Sequence, residues 1–294
     1  MIRIEIEREQ LKQLIADHKP GWLEDAQEKT TELENDPDLD VTSIWSPIKQ
    51  VFTDLQHSKC IFCEKEIEDQ PIEQDVEHFR PKNNVKRWSV PAWMAEMEGV
   101  TVKQPDTGSE PGYRLLAYNF LNYAAACKTC NSTRKRDYFP IGASPRKSGS
   151  KNPARMKSEK AYLIYPISDI DDDPEELIEF HGMSPQAKMA SGLGRKRALV
   201  TIELFQLDNT DERTYLFKRR AEKIWILFKC LKQIDEGNTA ERAEGEIVAD
   251  FLTSPMSEHT NCLRCFRRLY DSDRAEAESV AQKAFQLWTS GSSE

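Results

Sequence analysis

Apolar residues recur at helical spacing through the first 57 positions. Leu11, Leu14 and Ile15 fall one turn apart before Pro20, which predicts a first helix. A second is predicted from Trp22 to Leu33, ending at the acidic turn Asn35-Asp36-Pro37-Asp38. A third runs from about Trp45 to Gln56 with Ile48, Val51, Phe52 and Leu55 on one face, read as a packing surface. After residue 58 the pattern shortens, and Val76-Glu77-His78-Phe79 is a strand candidate. Residues 91–112 carry Pro91, Gly99, Pro105, Gly108, Pro111 and Gly112 and read as an inserted loop with little structure. Leu115 to Tyr123 leads into a cysteine pair, and a helix is predicted from near Cys130 to Phe139-Pro140. Residues 141–160 are rich in Ser, Gly, Pro and Lys and read as a mobile basic loop or linker. The second half has extended pieces at Leu163 to Pro166 and Leu177 to Phe180, separated by the acidic turn Asp169 to Pro174. Helices are predicted at Arg195 to Leu207, Arg213 to Ile234, Ala240 to Leu252 and Arg274 to Leu287. The expectation is therefore an α+β fold, mostly α-helical. It comprises an N-terminal helical region (1–57), a central module (58–142), a basic linker (143–160) and a C-terminal helical region (161–294).

Composition narrows the classes. The formal net charge is −9, so nucleic acid can be bound only through a local basic patch. One such excess exists: between Lys128 and Lys160 there are ten Lys or Arg against Asp137 and Glu159. Mean hydropathy is −0.68 and no run reaches the ~18 apolar residues of a membrane span. The start, Met1-Ile2-Arg3-Ile4-Glu5-Ile6-Glu7, has no signal-peptide pattern. Seven cysteines, four of them in C-x-x-C spacing, favour metal-bound thiolates in a reducing cytoplasm over a disulfide framework.

Cys60-Ile61-Phe62-Cys63 and Cys127-Lys128-Thr129-Cys130 can close one tetrahedral four-cysteine zinc site. Between them lies Glu77-His78. A neutral imidazole at His78 can take a proton from water near pH 7. The carboxylate of Glu77 and the amide oxygen of Asn131 suit Mg²⁺ or Mn²⁺, with waters and phosphate oxygens completing the shell. Strand neighbours point to opposite faces, so Glu77 and His78 share a wall only if the backbone turns, which Pro81 offers. A cation stabilising a leaving oxyanion, opposite a histidine that activates water, is a plan for phosphodiester hydrolysis.

The order C-x2-C, Glu-His, then Asn122 and Asn131 nine residues apart resembles the HNH endonucleases and their ββα-metal finger. The resemblance implies that His78 is the general base and that Glu77 and Asn131 bind the catalytic metal. It implies that Asn122 holds the loop bearing His78, and the nine-residue offset to Asn131 favours Asn122 over Asn119 for that role. Members with a fourth histidine have it where this chain has Lys135, which implies fewer protein ligands and places Lys135 on a phosphate. Trp45 to Lys49, Glu77-His78-Phe79-Arg80-Pro81-Lys82, Phe139-Pro140, Ile164-Tyr165-Pro166 and Asp172-Asp173-Pro174-Glu175-Glu176 extend the likeness over about residues 40–220. They are similar to the HNH subunits encoded beside ATPases in bacterial anti-phage systems of the Septu and retron-associated type. That implies a nuclease acting on DNA or RNA, with DNA favoured, and an ATPase partner docked on the C-terminal helices. Self-association through those helices is the alternative. Arg80, Lys82, Arg134, Lys135 and Arg136, with Arg146 and Lys147, are expected along the nucleic acid backbone. The rival from another class is a non-catalytic zinc-dependent adaptor, which would not need Glu77, His78 and Asn131 together.

Other features carry less. Cys262-Leu263-Arg264-Cys265 with His259 is read as buried free thiols rather than a second zinc site, and Cys230 as core. His18, His57 and His181 have no metal-ligand spacing. Trp88 and Trp93 near Arg87 serve packing at least as well as base stacking.

Overall fold

The computed structural model describes residues 1–67, 74–104 and 108–290. The fold is α+β and mostly helical, with three two-stranded antiparallel sheets among the described residues. α1 (Arg8–His18) opens with a capping box between Glu7 and Gln10, and turns Leu11 and Ile15 inward. Leu14, predicted on the same face, is 46% exposed. α2 (Trp22–Asn35) follows. Pro47 starts a tight 3-10 turn, Ser46–Ile48, that leads into α3 (Lys49–Leu55) and buries Ile48, Val51 and Phe52.

β1 (Gln74–His78) pairs antiparallel with β4 (Tyr123–Cys127), with Glu77 opposite Ala124 and His78 opposite Tyr123. Every residue of β4 is buried. The other edge of β4 is closed by a side chain: the Gln56 amide donates to the Ala125 carbonyl and accepts from the Ala125 N–H, both at 2.8 Å. Ile61 N also donates to Ala125 O at 3.1 Å. A buried backbone edge without such partners would cost desolvation of each group. After β4 the chain makes a π-helical turn, Thr129–Lys135, in place of the longer helix predicted there.

The described residues of 91–112, which exclude 105–107, are more ordered than their Pro and Gly content suggested. Pro91 caps α4 (Ala92–Glu98), Gly99 ends it at φ 59, and Met94 is buried. Pro favours helix starts and Gly the left-handed stop, so the same residues punctuate a short helix. β2 (Val85–Lys86) pairs with β3 (Ser109–Glu110). The basic segment 143–160 also differs from a mobile linker. Met156 and Glu159 are buried, and Ala143 N donates to Glu159 O at 3.0 Å. It is a strap held against the body by Glu159, whose carboxylate binds Arg80 and Tyr113.

One core runs from Met1 to Leu216, so residues 161–216 pack with the central module. They include α5 (Pro174–Leu177), the hairpin of β5 (Ile178–His181) with β6 (Ser184–Ala187), and α6 (Gly192–Phe205). A second core is built by α7 (Thr214–Glu236), α8 (Thr239–Thr253), α9 (Thr260–Ser272) and α10 (Arg274–Thr289). No helix among the described residues is long and apolar enough to cross a membrane.

The two cores meet beside the first cysteine pair. Within the first core, Phe62 stacks on Phe205 at the end of α6, with centroids 4.1 Å apart. The buried Lys59 ammonium donates to Ser257 O at 2.8 Å and to Thr260 Oγ1 at 3.2 Å. His259 caps α9 in the left-handed region (φ 55), and its N–H reaches Glu64 O at 3.3 Å. Burial, helped by Arg220, pushes the His259 pKa down to about 3.

His259 is therefore neutral when folded, while unfolded it titrates near 6.5. It contributes stability above pH 6.5 that is lost as pH falls from there towards 3. Between pH 7.5 and 5.0 the wild type should lose about 2 kcal/mol more than His259→Asn, a change that tolerates the left-handed backbone. Urea unfolding at the two pH values checks this. Equal losses would mean that His259 is not a buried neutral group.

Candidate metal centre and active site

The first cysteine pair sits on a turn. Cys60 N donates to Lys65 O and Glu64 N to Cys60 O, both at 2.9 Å, so the chain doubles back between the two sulfurs. Cys127 ends β4, and Cys130 lies in the π-helical turn. All four are buried, with every Sγ within 4.8 Å of the others, and Cys63 Sγ lies 3.9 Å from Cys127 Sγ. Zinc–sulfur bonds of about 2.3 Å in a tetrahedron place the sulfurs roughly 3.8 Å apart, so the cluster fits zinc. Its electrostatics point the same way. Hydrogen bonds from Cys127, Cys130 and Cys60 pull the Cys63 pKa well down, while burial raises Cys60. Four buried thiols share negative charge poorly without a cation among them.

No motif or spacing singles out Arg213. It is buried, with Nη2 3.5 Å from Cys130 Sγ and Nη1 donating to Phe205 O at 3.0 Å. Burial alone would lower its pKa, but the charge on Cys130 and Cys63 raises it. Lying just before α7, Arg213 ties the second cysteine pair to the C-terminal helices and offsets the charge of a tetrathiolate.

A cavity of about 120 Å³ opens on the other side of β1, lined by Trp45, Glu77, His78, Lys82, Asn131, Arg136 and Asp137 among others. His78 is 7% exposed. Its ring meets Trp45 and Tyr123 edge-on, with centroids at 4.5 and 4.9 Å. Nε2 lies 3.0 Å from Ala117 O. A carbonyl only accepts, so Nε2 carries the hydrogen and Nδ1 keeps its lone pair. Burial, then the nearby Lys82 charge, pushes the His78 pKa down to about 3, so the imidazole is neutral at pH 7.

Asn122, not Asn119, holds the chain beyond His78. Its Oδ1 accepts from Arg80 N at 2.8 Å, Nδ2 donates to Arg80 O at 2.9 Å, and its own carbonyl accepts from Phe79 N at 2.8 Å. Asn119 instead caps the 3-10 turn Phe120–Asn122. Glu77 is buried, and burial pushes its pKa up against the pull of Lys135. Lys135 Nζ forms an ion pair with Glu77 and donates to His78 O at 3.1 Å.

Several basic residues expected on a phosphate path lie elsewhere. Lys135 is fully buried, its charge taken up by Glu77. Arg80 is buried in an ion pair with Glu159, its guanidinium over the Tyr113 and Phe139 rings at 4.9 and 4.8 Å. Arg146 is held by Glu110 and Tyr113 with its side chain buried, whereas Arg134 pairs with the exposed Glu212 at the surface and is not sequestered. A cation sequestered by a buried counterion is not offered to a ligand. Lys147 is exposed, while Lys82 and Arg136 border the cavity. Lys82 Nζ also lies 5.0 Å from the Trp45 ring.

Cys262, Cys265 and His259 do not assemble a second metal cluster; among the described residues the four-cysteine group alone meets that geometry. The Cys262 thiol donates to Gly182 O at 3.2 Å, and Cys265 accepts from Phe180 N at 3.3 Å. Both pin α9 to the β5–β6 hairpin.

The class defined by this arrangement is a buried four-cysteine metal module with a two-stranded ribbon and helical turn, embedded in a largely helical protein. The chain is similar to the Septu protein PtuB of Bacillus mycoides (strain KBAB4), 27% identical over 213 residues that cover 70% of this chain and 65% of that protein. It therefore spans a little under two thirds of that relative's length. No family model matches the chain, and no solved structure matches it.

Replacing Arg213 by Leu should speed zinc release to a chromogenic chelator by about 10-fold or more, with the four ligands intact. Release at the wild-type rate would show that the guanidinium does not support the thiolates.

Proposed function

We propose that the chain is a metal-dependent HNH-type endonuclease, with a structural zinc on Cys60, Cys63, Cys127 and Cys130. The observation that carries the reading is the cavity in which His78, Glu77 and Asn131 meet beside the β1–β4 ribbon. Glu77 and Asn131 supply a carboxylate and an amide oxygen, the hard donors that Mg²⁺ or Mn²⁺ prefer. Such a cation, when bound, offsets the charge that develops on the leaving 3′ oxygen.

The chain's own residues do the rest. The Ala117 carbonyl fixes the His78 tautomer, and Trp45 and Tyr123 fix the plane of its ring. His78 Nδ1 takes the proton of the attacking water. Asn122 locks the backbone after His78, so the imidazole keeps its aim. Lys82 and Arg136, at the cavity, meet the phosphate. DNA is the favoured substrate class, with RNA the alternative.

The likeness to the Septu protein supports a place in bacterial anti-phage defence, as the effector nuclease of an ATPase-coupled system. The C-terminal helices would dock the ATPase. Ile247 is 71% exposed, and Phe251 and Met256 stand out beside it, an apolar surface suited to a protein partner.

His78→Ala should lower plasmid cleavage in Mg²⁺ by about 10²–10⁴-fold while the variant still folds and keeps its zinc, with only the modest loss of melting temperature expected from a truncated buried ring. Wild-type turnover in that variant would rule out the mechanism.

A further inference from the structure

Asp75 lies two residues before Glu77 and so on the same face of β1, opposite Ala126 on β4. From there it reaches the helical turn that carries Asn131. Asn131 Nδ2 donates to Asp75 Oδ2 at 2.9 Å, and Ser132 Oγ donates to the same oxygen at 3.3 Å. The main chain of Asn131 is fixed too, since its carbonyl accepts from Arg136 N at 2.8 Å. What remains free in an asparagine so placed is the half-turn of its amide. Oxygen and nitrogen are nearly the same size, so packing alone does not choose between them.

We infer that Asp75 is the positioning residue for Asn131: its carboxylate fixes the amide so that oxygen, not NH₂, is presented to a cation. A carboxylate only accepts, so it holds the NH₂ and repels the oxygen. Turned the other way, Asn131 would offer a cation two N–H donors and no lone pair. The negative charge behind the amide also polarises it and makes Oδ1 the better donor to a metal. Asp75 belongs to the surroundings of the site rather than to the groups that touch substrate. The sequence did not single it out, because nothing in its spacing links it to a residue 56 positions away.

This inference rests on the metal-dependent nuclease reading, and the test separates the two. Mn²⁺ binding to the full, zinc-loaded chain is measured by electron paramagnetic resonance, alongside cleavage, zinc content and thermal unfolding. Asp75→Leu should weaken Mn²⁺ about 10–100-fold. Asp75→Asn keeps an acceptor oxygen but loses the charge, and should fall between the wild type and Asp75→Leu. Asp75→Leu combined with Asn131→Ala should bind no worse than Asn131→Ala alone. Asp75→Ala replaces the Leu variant if the latter fails to fold. Wild-type affinity without the carboxylate would overturn the inference alone. So would an Asn variant as weak as Leu, or losses that add in the double variant, since either makes Asp75 a ligand in its own right. No Mn²⁺ binding and no cleavage by the wild type would overturn the nuclease reading and this inference with it.

Discussion

Four buried sulfurs within 4.8 Å of one another are the constraint on which this structure depends. Thiolates that close repel unless a cation sits among them, and a structural zinc contributes folding free energy on the order of 10 kcal/mol. The cluster joins the turn before β1 to the end of β4, and so anchors the end of the ribbon at which Gln74 pairs with Cys127. It also fixes Asn131, which follows Cys130 directly. The position of one side of the proposed site is thus tied to the cysteine cluster rather than to a loop.

Side-chain amides and buried ions carry that order outward. Gln56 stands in for a missing strand beside β4, and Asn122 clamps the turn after β1. Arg213 couples the sulfurs to α7, and Lys59 ties the first cysteine turn to the loop before α9. Each of these groups is buried and has its partners, so removing one leaves another unpaired at a cost larger than the contact's own worth. The C-terminal helices are therefore joined to the metal module by specific polar contacts, while the Phe62–Phe205 stack holds α6 against it within the first core.

Much of the frame was legible in the sequence because it is local. Cysteine spacing marked the metal cluster, and helical periodicity placed α1 to α3, α6 to α8 and α10 to within a few residues. What escaped was set by tertiary partners. Arg80, Lys135 and Arg146 look like nucleic-acid contacts in a basic stretch, yet Glu159, Glu77 and Glu110 come from distant positions to neutralise them. Pro and Gly near residues 91–112 signalled a loop, but they stop and start a helix. Gln56, Asp75 and Arg213 carry no spacing signal, because the groups they hold at the site, Ala125, Asn131 and Cys130, are 56 or more residues away in the chain.

The central claim is that one small module holds two different metals for two purposes. Anomalous diffraction from crystals of the His78→Ala protein grown with Mn²⁺ tests it directly. The account expects a zinc-edge peak about 2.3 Å from each of the four sulfurs, and a separate manganese-edge peak between Glu77 and Asn131. Peaks at the cysteines alone at both edges, with none beside Glu77, would contradict it.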